Sequence, residues 1–141
     1  MQTYFRHQAL ADTHAYTRCD QRFRIAEDAE GIAAAYTHAR PTDGVVQGIH
    51  LPTGHAFRYL LMLGIAARHR HQGGKFADEV VLDALYDVLA REPDHEAIAV
   101  MARIDHRNVS SQRLFSRHGF EEVFAGTLTA PLGGWLLIIE R

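Results

Sequence analysis

Two short stretches of this chain hold the residues best suited to chemistry. In the first, an apolar run, Tyr59-Leu60-Leu61-Met62-Leu63-Gly64-Ile65-Ala66-Ala67, empties into Arg68-His69-Arg70-His71-Gln72-Gly73-Gly74-Lys75, and a helical pattern follows. Gly73 and Gly74 carry no Cβ atom to keep a phosphate away. Successive N–H groups in a turn entering a helix, aided by the helix dipole, suit a diphosphate. Lys75 adds positive charge to the first turn, unfavourable for a bare helix and sensible beside an anion. The same glycines also serve as a tight strand-to-helix turn with no ligand, and the residues alone leave both readings open. In the second stretch a buried strand over Ala97 to Ile104 precedes Asn108, which opens a short helix closing at Gly119-Phe120. Asn is a good helix N-cap, and it also sets a polar amide beside whatever lies along the strand. The Gly-x4-Gly-Lys-Ser/Thr phosphate loop and the Gly-x-Gly-x-x-Gly dinucleotide fingerprint are both absent.

The elements that must position these stretches follow from pattern. At 141 residues, 47% hydrophobic and 23% charged, the chain reads as one soluble globular domain over residues 1–141. A net charge of −2 gives no strong electrostatic case for nucleic acid as the main partner. No apolar run approaches the ~20 residues of a membrane span. The N-terminal residues lack a signal-peptide core, and the lone Cys19 fits a reducing interior, so a cytoplasmic protein is expected. Asp12 or Thr13 caps a short helix over 12–21, with Tyr16 and Cys19 on one face. Phe23 to Ala26 and Ile32 to Thr37 read as a β-hairpin around the turn Glu27 to Gly31. Pro41 to Phe57 reads as a loop with a short strand at Val45 to Ile49. Tyr59 to Ala67 is too uniformly apolar for a strand with one wet face and is placed at the centre.

Phe76, Val80, Val81, Ala84, Leu85, Val88 and Leu89 form one helical stripe, opposed by Lys75, Asp78, Glu79, Asp83 and Asp87, and Pro93 ends that helix. Gly119 takes the left-handed position after the Asn108 helix, letting Phe120 fold back on Phe115. Glu122 to Thr129 and Trp135 to Glu140 read as strands around the turn Pro131 to Gly134. The ten histidines raise the question of a metal. His69-x-His71, with His50 or His55, lacks a fixed third ligand, and Arg68, Arg70 and Lys75 would repel a cation, so no metal is expected.

Gln72-Gly73-Gly74-Lys75-Phe76-Ala77 resembles the Gln/Arg-x-x-Gly-x-Gly/Ala loop of the GCN5-related N-acetyltransferases (the GNAT family). Asn108-Val109-Ser110-Ser111-Gln112-Arg113-Leu114-Phe115-Ser116-Arg117-His118-Gly119-Phe120 is similar to that family's Asn-x-x-Ala/Ser-x-x-Leu-Tyr-x-x-x-Gly-Phe segment. The resemblance covers residues 59–140. It implies an α/β (α+β) fold with a mixed, mostly antiparallel central sheet whose middle strands splay, flanked by helices. It implies acetyl-CoA as cosubstrate. Ile65, Ala66 and Ala67 would pair with its pantetheine arm. The loop from Gln72 through Gly73, Gly74, Lys75, Phe76 and Ala77 would hold its diphosphate. Asn108 would contact the pantetheine or its thiol end, with Ser111 close by.

The activity implied is direct transfer of acetyl to an amine of a small molecule or protein. Cys19 lies far from these motifs, which argues against an acyl-enzyme. The chain departs from the family pattern in three places. Lys75 stands where the family has Gly, and Phe115 where it has the Tyr that often protonates the leaving thiolate. Leu61 and Leu63 occupy positions where several relatives carry a glutamate base. Loss of a dedicated acid or base typically forfeits ~10²–10⁴-fold in rate, not all of it. His55, with His50 beside it and Asp105 behind, is the candidate base. Two other readings stand next to this one. The first is an acyl-CoA-binding module that has lost its chemistry. The second is a toxin-like acetyltransferase acting on charged transfer RNA through Arg103, Arg107, Arg113 and Arg117. The apolar last strand, Trp135 to Ile139, offers a surface for a homodimer.

Overall fold

The computed structural model describes residues 4–7, 20–41, 54–70 and 74–141, the first of these as backbone. The expected helix over 12–21 as far as Cys19, the strand at Val45 to Ile49, His50, His71, Gln72 and Gly73 therefore lie outside the described residues; Asp20 and Gln21, the end of that expected helix, are not helical.

Seven strands form one sheet in the order β1-β2-β3-β4-β5-β7-β6. They are β1 (Tyr4–His7), β2 (Arg22–Asp28), β3 (Gly31–Ala39), β4 (His55–Ile65), β5 (Ala97–Asp105), β6 (Glu121–Phe124) and β7 (Leu132–Glu140). Among the described residues two α-helices accompany them, α1 (Lys75–Arg91) and α2 (Val109–Arg117), with a 3-10 turn at Ala67–His69. Neighbours run antiparallel except β4 and β5. That parallel pair is joined by α1, the crossover a parallel connection needs. The fold is the mixed, mostly antiparallel α/β sheet that the sequence implies. No helix of the described residues is long and apolar enough to cross a membrane.

The hairpin forms where expected, with a tighter turn: Asp28 pairs with Gly31, and Asp28 Oδ1 accepts from the Glu30 N–H at 2.9 Å. The last hairpin differs from expectation. β6 stops at Phe124 and β7 begins at Leu132, so Gly133 and Gly134 lie inside a strand and the turn precedes them. Phe124 explains the glycine: it pairs with Gly134, and its ring lies where a Cβ on residue 134 would stand.

The strand centred on Tyr59 starts earlier than expected, at His55, and its two halves differ. Ala56, Arg58 and Leu60 are buried, whereas Leu61 and Met62 are 54% and 45% exposed. The cause lies in the register. β4 pairs with β5 from His55↔Ala97 only as far as Leu60↔Ala102, while β5 continues to Asp105 against β7 and β4 continues to Ile65 against β3. The middle strands part after Leu60, and the apolar residues beyond lose their cover.

The core gathers on the face covered by α1 and α2. Phe76, Val80, Ala84 and Val88 meet Ala26, Ala34, Tyr36, Leu60, Ile98, Val100 and Ala102, and Phe115 and Phe120 complete the cluster. The α1 stripe is as the pattern predicts, except for Asp87. The sequence places Asp87 on the wet face, but it is buried, because the sheet opposite supplies donors. Arg22 donates to both its oxygens at 3.2 and 3.1 Å, and His38 Nε2 lies 2.7 Å from Oδ2. Arg58, fully buried, reaches the other side of His38: its Nη1 donates to Nδ1 at 3.0 Å. Arg58 also donates to Glu92 at 3.2 Å and pairs with Asp20, which Arg91 pairs as well. Arg40 forks onto Glu92 at 2.6 and 3.0 Å. Each buried charge thus has an opposite partner and hydrogen bonds, the condition under which ionic groups are tolerated inside a protein.

Because Arg58 has only N–H groups to offer, His38 Nδ1 must accept, and the ring's proton sits on Nε2 facing Asp87. Burial lowers the His38 pKa, and Arg58 adds to the effect against the pull of Asp87. Burial alone would raise Asp87, but hydrogen bonds from His38 and Arg22 outweigh it and hold its carboxyl well below the usual range. Both shifts make the unfolded chain bind more protons than the folded one as acid is added. Stability is therefore predicted to be full above pH ~6.5, the unfolded His value, to fall below it through His38, and to fall again below ~4 through Asp87. Melts from pH 8 to 4 check this, and His38→Asn should flatten the first step. Asp87→Asn, which strips the counter-charge from Arg22, should cost about 3–5 kcal/mol in urea unfolding at pH 7.

Candidate functional site

Where β4 and β5 part, a groove of about 650 Å³ opens. One wall is the end of β4, at Leu63, Gly64 and Ile65. The 3-10 turn adds His69 and Arg70, and the first turn of α1 adds Gly74 and Ala77. The facing wall is α2, with Asn108, Ser110 and Ser111 at its start and Arg113, Leu114 and Arg117 further along.

The β4 wall offers main-chain groups. The Ala66 N–H donates to the Ala33 carbonyl at 2.8 Å. Antiparallel alternation then turns Gly64 and Ala66 toward β3, and Leu63 and Ile65 away from it. Among the described residues no strand pairs with that outward edge beyond Leu60, so its polar groups are available to a ligand that carries amides. Of the residues expected to pair with the arm, two have main-chain groups already engaged within the protein. Ala66 is committed within the protein, since its carbonyl also accepts from the His69 N–H at 2.9 Å, and the Ala67 carbonyl accepts from the Arg70 N–H at 3.1 Å. Leu63, which the sequence reading passed over, shares the outward edge and the groove wall with Ile65. The Ile65 carbonyl accepts from Arg70 Nε at 3.1 Å.

The far end of the groove is the N-terminus of α1. Gly74 takes φ 80°, a left-handed conformation that favours glycine, and among the described residues no side chain caps the helix. The first N–H groups of α1 thus have neither a helical partner nor a cap among the described residues. Arg117 stands over this turn: its Nη2 would lie 3.2 Å from a Cβ placed on Gly74. It is anchored by Asp78, which accepts from Arg117 Nη2 at 2.9 Å and faces His118 Nε2 at 2.8 Å. With Arg70 and Arg113, three guanidinium groups line the groove, and no carboxylate does among the described residues. Lys75 is exposed on α1 and off the wall. Phe76 is buried in the core, leaving only its main chain to serve a ligand.

Asn108 does what a cap does: Oδ1 accepts from the Ser111 N–H at 3.1 Å. It also lines the groove, so its amide nitrogen remains to offer a ligand. Phe115 packs edge-on to Phe120, ring centroids 4.9 Å apart, with Gly119 at φ 91° closing the helix as expected. Its side chain belongs to the core, and the groove wall takes Leu114 instead.

The structure does not bring His55 to this groove. His55 opens β4 opposite Ala97 and lines a separate depression with Asp94, Glu96, Glu140 and Arg141. At ~3.3 Å per residue the length of β4 separates it from Ile65, roughly 30 Å. Asp105 ends β5 at the opposite end from His55, and it is held by Arg107. Hydrogen bonds at 3.0 and 2.8 Å from that guanidinium, with the Arg107 N–H, keep its carboxyl well below the usual range. Of the four arginines read as a possible RNA patch, Arg107 is committed to Asp105 and Arg117 to Asp78. Among the described residues no three His, Cys, Asp or Glu side chains converge as a metal site.

The architecture and groove define a class, an α/β domain with a splayed parallel pair beside an anion-receptive helix N-terminus. The model of the acetyltransferase (GNAT) domain matches residues 1–121, and the chain belongs to that family. Among solved structures it is similar to a GNAT-family protein from Desulfovibrio desulfuricans, with TM-score 0.64, 13% identity and 99% of both chains covered. It is also similar to spermidine N-acetyltransferase from Vibrio cholerae in complex with CoA and spermine, with TM-score 0.55 and 17% identity over 91% of this chain and 69% of that one. A third is aminoglycoside acetyltransferase AAC(6')-Ib in complex with coenzyme A and kanamycin, with TM-score 0.55 and 19% identity over 89% and 70%. At these identities the likeness shows the fold. No curated protein sequence matches the chain.

The cap geometry makes a prediction. Asn108→Ala should cost about 1 kcal/mol of stability by urea unfolding, and Asn108→Asp, which keeps an acceptor for the Ser111 N–H, should cost less than half as much.

Proposed function

We propose that this chain is an acetyl-CoA-dependent N-acetyltransferase that transfers acetyl directly to an amine. One observation carries the reading: among the described residues the outward edge of β4 beyond Leu60 is unpaired and runs beside a cationic groove that ends at an N-terminus of α1 no side chain caps. A ligand with amides along its length and phosphates at one end matches that sequence of groups. Leu63 and Ile65 would hold its arm, and the first turn of α1 from Gly74 to Ala77 would hold its diphosphate with Arg117 and Arg113. The Asn108 amide and Ser111 would lie along the arm. Bound there, acetyl-CoA supplies an activated acyl thioester.

The chain's contribution is then mostly position. Holding two reactants in near-attack geometry is worth up to ~7–11 kcal/mol in intramolecular models, and backbone donors add to it. Among the described groove residues there is no Asp, Glu, Lys, Tyr or Cys to serve as a general acid or base. That scarcity favours a second reading, an acyl-CoA-binding module without turnover. The acceptors named for the similar structures, polyamines and aminoglycosides, define the amines to try first.

CoA at a hundredfold excess over its Kd should stabilise the protein by about 2.7 kcal/mol, read as a rise in melting temperature. No rise overturns the assignment of the groove. Asn108→Asp should keep the unliganded melting temperature and weaken CoA binding by about tenfold, separating cap from ligand contact. Arg117→Ala should weaken CoA similarly while costing under ~1 kcal/mol of stability, as its pair with Asp78 is exposed. Release of thiol from acetyl-CoA over a panel of polyamines, aminoglycosides and peptides decides between enzyme and binder.

A further inference from the structure

One buried pair beside the groove is unused by the reading above. His69 is 3% exposed, and its ring lies on Phe76 of α1 with centroids 4.5 Å apart. Its Nε2 is 2.7 Å from Asp28 Oδ2, at the end of β2. Asp28 is saturated: it also accepts from Arg68 Nη2 at 2.8 Å, Arg68 Nε at 3.4 Å and the Glu30 N–H at 2.9 Å. The Arg68 hydrogen bond above all holds its carboxyl down to about 2, so it stays ionised and only accepts. The proton between Asp28 and His69 therefore sits on His69 Nε2, the tautomer in which Nδ1 is a bare acceptor. That Nδ1 is buried with no hydrogen-bond partner among the described residues. Yet His69 lines the groove, between Ile65 and Gly74. A buried acceptor with no donor is disfavoured, and here the ring is locked in place by Asp28 behind and Phe76 beneath.

We infer that His69 Nδ1 accepts a hydrogen bond from an amide N–H or hydroxyl of the ligand's extended arm, where the arm passes from the β4 edge to the α1 turn. Asp28 is the positioning residue that fixes the tautomer. The inference rests on the coenzyme reading of the groove and adds a side-chain determinant to it. A bare acceptor in a groove that Arg70 and Arg117 also line selects a polar hydrogen there, whereas a phosphate oxygen at that point would face a lone pair.

Titration calorimetry with two probes tests this. CoA carries the arm; adenosine 3',5'-bisphosphate carries only the nucleotide end. His69→Phe keeps an aromatic ring over Phe76 and removes the acceptor. It should weaken CoA by about tenfold and leave the bisphosphate within twofold of the unsubstituted protein. His69→Gln, which restores an acceptor, should recover part of the CoA affinity. In the unsubstituted protein labelled with nitrogen-15 histidine, the resonance absent from His69→Gln should move upfield on adding CoA and stay fixed with the bisphosphate. Unchanged CoA affinity in His69→Phe, equal loss of both probes, or an unmoved resonance overturns the inference. If the unsubstituted protein binds neither probe, the coenzyme reading fails first and takes this one with it.

Discussion

The separation of β4 from β5 after Leu60↔Ala102 governs the rest of this structure. A sheet interior normally satisfies every main-chain group by pairing. Here one strand follows β3 and its neighbour follows β7, leaving an edge in the middle of the sheet. The crossover through α1 is what makes it sustainable, since it returns the chain to a parallel strand and delivers a helix N-terminus to the open end. The site is thus chiefly a property of the backbone, and side chains refine it.

Charge is distributed in keeping with that division. At the closed end Asp20, His38, Arg58, Asp87 and Glu92 form a paired, largely buried network that ties the C-terminal half of α1 to β2, β3 and β4. At the open end Arg70, Arg113 and Arg117 line the groove with no carboxylate among them. One end of α1 is anchored by neutralised charge while the other faces the groove guanidiniums, of which Arg117 is tied, with His118, to Asp78 on the helix itself.

Much of this was legible in the residues. The 3.6-residue stripe of α1, the hairpin punctuated by Asp28 to Gly31, and the Asn108…Gly119-Phe120 frame each carry a local physical signal, and each element formed. What the sequence hid was long-range. Asp87 reads as solvated because its partners, Arg22 and His38, arrive from strands about 50 to 65 positions away. His55 reads as adjacent to the motif strand and is, but at the wrong end, since polarity along a strand is invisible until its partner is known. Leu63 was passed over because which residues of β4 turn outward depends on the phase of its ladder with β3. The extra length expected of β6 met no local signal against it, since Phe124 lying across Gly134 is a contact between strands.

That last contact has a consequence for how this fold varies. Phe124 fills the space a side chain at 134 would occupy, so the two positions share one volume. Drift at either is constrained by the other: a bulkier residue in β7 becomes tolerable once the aromatic in β6 has shrunk or swung out. Their substitution histories should be correlated even though neither residue borders the groove.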